Sequence, residues 1–466
     1  MHGSAVARFE LRRFLRLSLV WEKQAMKRTA LVSLALMLAA STANAQLTMQ
    51  MSNGWNFTFS GNVNAFYVYT QDKCSNQGNL LGSDGTTSSS CGVVGLPQTE
   101  GLVPVGPQED GVSRIRTGLL PAFAVFEAKG KEGNTDLGVH FGFAPQIQNS
   151  DRAHDQFGAQ IDMRQVFLTA GGGWGQILAG RELSLWQRQN ILTDMTIFGV
   201  GVSGDPANGG GTTLGRIGTG YIYPNFNAQF TYSTPAGKPA QLSIGIFDPA
   251  AWASNNGVAF DVTKAPRLEG EFTWTTHYGG SAASSTDDAI AAGDKKFMFW
   301  VNFMVQQAKT APGAGQVSIT SDGVGGGIQV DLARGLELVG SGYYGQGVGT
   351  TLMFSGLSVD ANNNKRNSTG YIGQLQWQPG GTSKWKIGAS YGNSRVSLTD
   401  TDKNAIGSGN LSNDNAVSNS SFVGALTYMW TKSLRWVFEY TYVTSESFDG
   451  SKATANQGAT GLMLFF

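Results

Sequence analysis

The sequence predicts an all-β protein, a transmembrane antiparallel β-barrel of 16 strands. Three observations lead to this prediction: apolar and polar residues alternate along most of the chain, Gly is abundant at 63 of 466 residues, and only 14% of residues are charged while 11% are aromatic. A charge fraction well below the usual ~25% argues against disorder. A single long apolar run excludes a multi-helix membrane protein. The formal net charge is zero, so the chain does not have the excess of basic residues that is typical of a nucleic-acid binder.

The first 45 residues predict a signal peptide with an N-terminal extension. Met26-Lys27-Arg28 forms a short basic region, an apolar run covers 30–40, and Ala43-Asn44-Ala45 is a typical cleavage site. A membrane anchor is the alternative, but this run is shorter than the ~20 apolar residues that span a bilayer. We therefore expect 1–45 to be removed and 46–466 to form a single domain. The removed part carries seven basic and two acidic residues, so 46–466 holds 26 basic and 31 acidic residues and a net charge of −5.

Two cysteines, Cys74 and Cys91, lie in a polar stretch rich in Ser, Gly and Asn. In an exported chain, the oxidising surroundings favour a disulfide between them that closes a loop. Two free surface thiols are the alternative. No His lies close by in sequence, so we expect no metal site here.

Alternation with a period of two residues is the strongest signal in 46–466. In the first predicted strand, Phe57, Val63 and Tyr67 share one side, while Asn62 and Asn64 share the other. Soluble strands average ~5–6 residues, whereas these runs approach the ~9–11 residues of a transmembrane strand. Trp, Tyr and Phe end the apolar sides, as expected of aromatic girdles at membrane interfaces.

The links between strands alternate in length. Short links such as 129–134 and 431–433 fit periplasmic turns, long polar links at 72–112, 148–162, 183–214, 350–367 and 398–417 fit outer loops, and 279–294 is long where a short turn is due. Sixteen strands result, an even number as in bacterial single-chain barrels, and a closed barrel pairs all backbone groups. We predict strands at 55–71, 113–128, 135–147, 163–171, 176–182, 216–232, 240–249, 265–278, 295–309, 317–332, 336–349, 367–378, 383–397, 419–430, 434–446 and 456–466.

Several stretches resemble the general porins of Gram-negative bacteria. The chain ends in alternating apolar residues up to Phe466, similar to the C-terminal signature of outer-membrane barrels. Residues 175–181 (GQILAGR) are similar to the strand before the third porin loop, and 230–235 (FTYSTP) and 244–249 (IGIFDP) resemble the strands that follow it. The resemblance implies a water-filled barrel of 16 strands, usually trimeric, with the third loop folded into the lumen.

The predicted third loop, 183–214, differs from the other long loops because it has an apolar core that includes Leu185, Trp186 and Ile191. A long loop with its own apolar residues is expected to pack rather than to be solvated. Inside a barrel it would lie against the wall and set the pore diameter. Its charged residues are candidates for the constriction: Glu182, Arg188, Asp194 and Asp205.

Basic residues that face this loop are expected to come from strands. Arg114 and Arg116 are two residues apart, so both point to one side of the second predicted strand, with Ile115, Phe123 and Val125 on the lipid side. Arg216 is predicted to open the sixth strand, and Arg164 and Arg181 are further candidates. Opposed arginines and carboxylates across a narrow lumen create a transverse field that orients and sorts solutes. The alternative is that these arginines only form ion pairs that brace the loop.

The sequence contains little that is typical of an enzyme active site. Residues 199–204 (GVGVSG) match a dinucleotide-binding spacing, but Asp205-Pro206 and a Gly run follow in place of a helix. We therefore expect no enzyme activity, no cofactor and no metal, and a porin for passive diffusion of small hydrophilic solutes and ions in a Gram-negative outer membrane. A homotrimer in contact with outer-membrane lipid and lipopolysaccharide is expected, without nucleic acid. A surface receptor or adhesin, or a substrate-selective porin, is the alternative.

Overall fold

The structure is a computed structural model that describes residues 47–52, 54–74, 80–81, 87–88, 102–103, 111–148, 161–204, 211–253, 259–279, 295–312, 315–408, 416–448 and 452–466. The predicted removal of 1–45, the Cys74–Cys91 disulfide and the role of Asp205 depend on residues outside this part of the chain or on the Cys74 side chain, and they remain predictions. None of the helices in the described ranges is long and apolar enough to span a membrane.

The strands pair in one antiparallel sheet that closes into a 16-stranded barrel. They are β1 Asn56–Cys74, β2 in two pieces (Gly111–Arg116 and Phe123–Glu132), β3 Thr135–Pro145, β4 Ile161–Gly172, β5 Gly175–Leu183, β6 Phe226–Ser233, β7 Ala240–Phe247, β8 Arg267–Tyr278, β9 Lys295–Lys309, β10 Ser318–Ala333, β11 Leu336–Gln346, β12 Asn367–Trp377, β13 Trp385–Ser397, β14 Ala416–Met429, β15 Leu434–Ser447 and β16 Lys452–Phe465. The described helices include α1 Arg188–Leu192 and α2 Asp400–Gly407.

Closure occurs between the first and the last strand. β16 pairs with β1 from Phe465 opposite Asn62 to Ala453 opposite Cys74. Phe466 continues this pairing, because its backbone N–H donates to Gly61 O at 3.0 Å and its carbonyl accepts from Gly61 N at 2.8 Å. A short strand, Leu47–Gln50, pairs with the start of β1. Each of the 16 described strands therefore has a paired strand on both sides, as a spanning sheet requires.

Side chains alternate between an exposed apolar face and a buried face of small or polar residues. On β1, Val63 and Tyr67 are exposed, whereas Asn62, Asn64 and Phe66 are buried, as the sequence predicts. Aromatic pairs lie near several short turns: Trp174 with Tyr232 and Trp430 with Trp436 are exposed, and exposed Trp385 contacts partly buried Tyr428. The exposed face thus carries the aromatic residues of a membrane-interface girdle.

The second predicted strand is interrupted, and this corrects the predicted side of its second half. Arg116 pairs with Phe66 of β1, and Phe123 pairs with Asn62 of β1. The chain of β2 thus advances seven residues where β1 advances four, which means that three extra residues are inserted in β2. An odd insertion reverses the alternation. Phe123 and Val125 are therefore buried, at 7% and 8% exposure, and not on the lipid side. Pro121 lies in the interruption and has no N–H for a ladder bond.

The sixth strand also begins later than predicted. Arg216 does not open it, because β6 starts at Phe226. Residues 217–223 form bridges of their own, Ile217 with Tyr221 and Tyr223 with Leu352. Pro224 cannot donate to a ladder, and Asn225 has a φ of 62°. The chain therefore enters the barrel wall only after Asn225.

Candidate functional site

The segment 184–225 joins β5 to β6 and makes extensive contacts with the buried faces of the strands. Its described parts contain α1, a 3₁₀ helix at Met195–Phe198 and many buried apolar residues. Leu185 and Trp186 are 0% exposed, and Val200 and Val202 are at most 1% exposed. The apolar residues that single out this loop in the sequence thus form a packed core.

Two carboxylates of β8 bind the beginning of the segment. The Trp186 backbone N–H donates to Glu269 Oε2 at 2.9 Å. Arg188 donates to Glu271 Oε1 through Nη2 at 2.5 Å and through Nε at 3.1 Å. Glu269 also accepts from Arg267 Nε at 2.7 Å, and both of these side chains are at most 1% exposed. The segment therefore starts on two buried acidic side chains of one strand.

The middle of the segment binds β9 and β12. Asn190 Oδ1 on α1 accepts from the indole N–H of Trp300 at 2.9 Å. The Gln374 amide binds the backbone twice, because its Oε1 accepts from Met195 N at 2.8 Å and its Nε2 donates to Thr193 O at 2.9 Å. These reciprocal bonds fix the turn between α1 and the 3₁₀ helix.

Glu439 on β15 binds the glycine-rich stretch 199–204. Its Oε2 accepts from Val200 N at 2.7 Å and from Gly201 N at 2.8 Å. A side chain at Gly199 would collide with this carboxylate, since an ideal Cβ would lie 1.9 Å from Glu439 Oε1. Gly201 has a φ of +57°, and its Cβ position is 2.5 Å from the backbone of Gly215. These glycines allow the backbone to approach a carboxylate of the barrel wall closely. This contact explains the glycine spacing of 199–204, and no bound dinucleotide is needed to explain it.

Asp194 organises the interior of the segment. Its carboxylate accepts from the backbone N–H and the hydroxyl of Thr196 at 2.8 and 2.7 Å, from Tyr221 at 2.6 Å and from Arg216 N at 3.1 Å. Burial raises the pKa of Asp194, while the bonds from Tyr221 and Thr196 oppose the shift. Arg216 Nη2 donates to Ser421 O on β14 at 2.8 Å. Burial lowers the pKa of Arg216 to about 10, so it stays cationic at neutral pH.

Arg116 of β2 binds backbone carbonyls of the segment on both sides of residues 205–210. Its guanidinium donates to the carbonyls of Ser203, Gly211 and Thr212 at 3.2–3.3 Å, and the residue is 3% exposed. Ser203 N donates to Gln457 Oε1 on β16 at 3.2 Å. Arg116 and Arg216 thus connect the segment to the wall through backbone carbonyls, and Asp194 connects parts of the segment to each other. Their role in a constriction, or as ion pairs that brace the loop, stays a prediction.

The other predicted residues are more accessible. Arg164 occupies a bulge of β4, pairs with Asp162 at 2.8 Å and lies over the Phe226 ring at 5.8 Å, with 13% of its side chain exposed. Glu182 is partly buried and accepts from Gln165 at 2.8 Å. Arg114 is partly buried on β2, and Arg181 is exposed on β5.

Several residues that bind the segment are not among the predicted site residues. The alternation of the sequence places Glu269, Glu271 and Glu439 on the side predicted to face the lumen. Contact with water in a polar lumen is enough to explain a charged residue there. Arg435 belongs with them, because it lies between Phe198 of the segment and Phe465 of β16, 4.5 and 4.7 Å from the two ring centroids. The signal that could have identified them is a charged residue on a buried face otherwise occupied by small and polar residues.

The charged groups form ion pairs and backbone contacts rather than a metal site. Within the described ranges, no three His, Cys, Asp or Glu side chains come close enough to hold a metal ion. The carboxylates of β8 and β15 are instead occupied by N–H donors of segment 184–225. Such an arrangement fixes segment 184–225 to the buried faces of several strands.

A closed barrel of 16 antiparallel strands, with an apolar aromatic outer face and a polar inner face, defines an outer-membrane β-barrel. A family model described as Gram-negative porin matches residues 30–447, and the chain belongs to this family. It is therefore an outer-membrane channel for passive diffusion, and the family and the fold point to a channel rather than an enzyme.

Solved structures of low sequence identity share the fold. The outer membrane channel DcaP of Acinetobacter baumannii matches with a TM-score of 0.59 at 14% identity, over 90% of this chain and 99% of that chain. An anion-selective porin from Comamonas acidovorans matches with a TM-score of 0.50 at 11% identity, over 88% of this chain and 100% of that chain. No curated protein matches the chain in sequence.

Proposed function

We propose that this porin is a homotrimeric pore for small hydrophilic solutes and ions, and that segment 184–225 folds into the lumen and sets its aperture. One observation carries the proposal: a single segment binds buried-face side chains of β8, β12, β15 and β2. These strands lie far apart around the barrel wall. The shortest path by which one segment can reach side chains on such distant strands runs through the inside of the barrel.

The braces and the charges that meet solutes are different residues in this proposal. Arg116, Asp194 and Arg216 are at most 3% exposed, so they hold the segment and contribute to the field from behind it. Arg114, Arg164, Glu182 and Arg188 are only partly buried. We infer that these four sort permeating ions, with Asp205 as a further contributor. Arg181 is not among them and the prediction for it is wrong, because it pairs with exposed Ala228 on the same face as Phe230, which is the exposed apolar face of the wall.

Planar-bilayer recording of the purified protein tests the channel function. Stepwise current increments that scale with salt concentration are expected, and a reversal potential across a salt gradient gives the ion preference. Solvent-filled pores of this kind also admit small sugars into liposomes. Intact protein that inserts but gives neither currents nor swelling would contradict the proposal and favour the receptor or adhesin alternative.

Three further parts of the proposal need separate measurements. Native mass spectrometry in detergent is expected to give three copies per particle. N-terminal sequencing of the protein from outer membranes is expected to begin at Gln46 if 1–45 is removed. Alkylation without reductant is expected to leave Cys74 and Cys91 unlabelled if they form a disulfide, and labelling of both would show two free thiols.

A further inference from the structure

The segment 347–366 between β11 and β12 departs from the polar outer loop that its length and sequence predict. Val348, Leu357 and Val359 are 0% exposed, and Phe354 is 3% exposed. A polar loop that only covered the barrel mouth would leave such residues in contact with water. The burial of four apolar side chains shows that this segment has a packed position.

One side of segment 347–366 packs on the wall formed by β9 to β11 and on segment 184–225. Val348, Phe354 and Val359 share a buried cluster with residues of both: Met304, Ala308, Ile319, Tyr343, Trp186 and Ile222. The backbones of the two segments also meet, because Tyr223 N donates to Thr351 O at 3.0 Å. Segments 347–366 and 184–225 thus form one continuous packed body.

The other side of segment 347–366 reaches the strands beyond β12. Leu357 packs in a second buried cluster with Val396 of β13, Val417 of β14 and Phe448, which follows β15. Ile406 of α2 contacts the same cluster. The segment therefore covers the buried face of the wall from β9 to β15.

A buried ion pair fixes segment 347–366 to the neighbouring loop. Arg366 donates to both carboxylate oxygens of Asp402 at 2.9 and 2.7 Å, and the two side chains are 3% and 2% exposed. Arg366 also donates to Val359 O at 2.6 Å and lies 5.2 Å from the Phe448 ring centroid. Asp402 in turn accepts from Thr399 N at the start of α2.

A second polar contact fixes the same loop. Asp360 accepts from the Thr399 hydroxyl at 2.7 Å and from the backbone N–H groups of Asn362 and Asn364, each at 2.8 Å. Thr399 therefore connects Asp360 and Asp402. The bidentate pair of Arg366 and Asp402, in which two N–H groups donate to two carboxylate oxygens, restricts the two side chains to one relative orientation.

We propose that segment 347–366 is a second constriction element of the pore and that Arg366 and Asp402 are positioning residues that hold it against segment 184–225. The proposal rests on the proposed function, since it needs a lumen that conducts. Two segments that meet at Tyr223 and Thr351 would occupy adjoining parts of the lumen and narrow it together. The size limit for solutes is then set by both, and release of one widens the pore.

The test is Asp402→Asn in the full chain, with Asp400→Asn as the matched control. Both residues lie on α2, but Asp400 is 94% exposed in its side chain and pairs with exposed Lys403. Single-channel conductance and liposome swelling with sugars of increasing size are the readouts. We expect Asp402→Asn to raise conductance about 1.5-fold and to admit a larger sugar, because a wider aperture passes more ions. Asp400→Asn is expected to match the wild type.

The outcomes separate the two proposals. A wild-type protein without conductance contradicts the proposed function itself. A conducting wild type whose Asp402→Asn variant has the same conductance and size limit overturns the second constriction alone. Shifted electrophoretic mobility on heating checks that each barrel is folded. If Asp402→Asn does not fold, Leu357→Ala decides, with the same rise expected and wild-type values overturning the proposal.

Discussion

Glu439→Ala is expected to detach the glycine-rich stretch 199–204 from the barrel wall. The carboxylate accepts two buried backbone N–H groups, those of Val200 and Gly201, at 2.7 and 2.8 Å. A hydrogen bond to a charged group contributes about 1.5–3 kcal/mol net. Two such bonds give about 3–6 kcal/mol, and water that enters the vacated space offsets part of this, which leaves about 3 kcal/mol.

A loss of about 3 kcal/mol raises the population of the detached stretch about 10²-fold. Hydrogen exchange measured by mass spectrometry on a peptide that contains Val200 and Gly201 is therefore expected to be about 10²-fold faster. Glu446→Ala on the same strand is the control, because its contact is an exposed ion pair with Lys452 at 3.6 Å. Unchanged exchange at Val200 and Gly201 in a folded Glu439→Ala barrel would refute the reasoning.

Three other changes test neighbouring contacts. Gly199→Ala places a methyl group on the Glu439 carboxylate and is expected to speed the same exchange, with little further effect in the Glu439→Ala background because both remove one contact. Arg188→Gln removes a cation with 15% side-chain exposure from buried Glu271, and the reversal potential is expected to shift toward cations; an unchanged potential would contradict its role. Deletion of Phe466 removes both backbone bonds to Gly61, and the fraction of heat-modifiable barrel is expected to fall, whereas full assembly would contradict its part in closure.

The wall of the barrel could be predicted from the sequence because each strand carries its own signal. Alternation every two residues follows from the pleat and needs no knowledge of the partner strand. The start of β9 at Lys295 and the short turn before β11 at Leu336 agree with prediction for this reason. Prediction fails where a strand is interrupted, as at Pro121, since three inserted residues reverse the sides without changing the residue types.

Segments 184–225 and 347–366, which connect strands of the wall, could be predicted only in part. The apolar residues of 183–214 show that this loop packs, but not on which strands, because its partners lie far away in sequence. Glu439 and Val200 are 239 residues apart, and no local pattern connects them. The prediction of a polar outer loop follows the Asn, Ser, Thr and charged residues of segment 347–366 and overlooks its apolar residues. The buried ones among them, such as Phe354 and Leu357, decide its position.

The division between braces and accessible charges has a consequence for ion preference. A buried arginine that donates to backbone carbonyls stabilises the segment, and in the proposed pore its guanidinium would not contact permeating ions directly. We therefore predict that Arg116 and Arg216 contribute less to selectivity than their number suggests, and that Arg114, which is only partly buried, contributes more. Neutralisation of Arg114 alone is thus the cleaner test of selectivity, because Arg116→Gln would also release the carbonyls of Ser203 and Thr212 and change the aperture together with the charge.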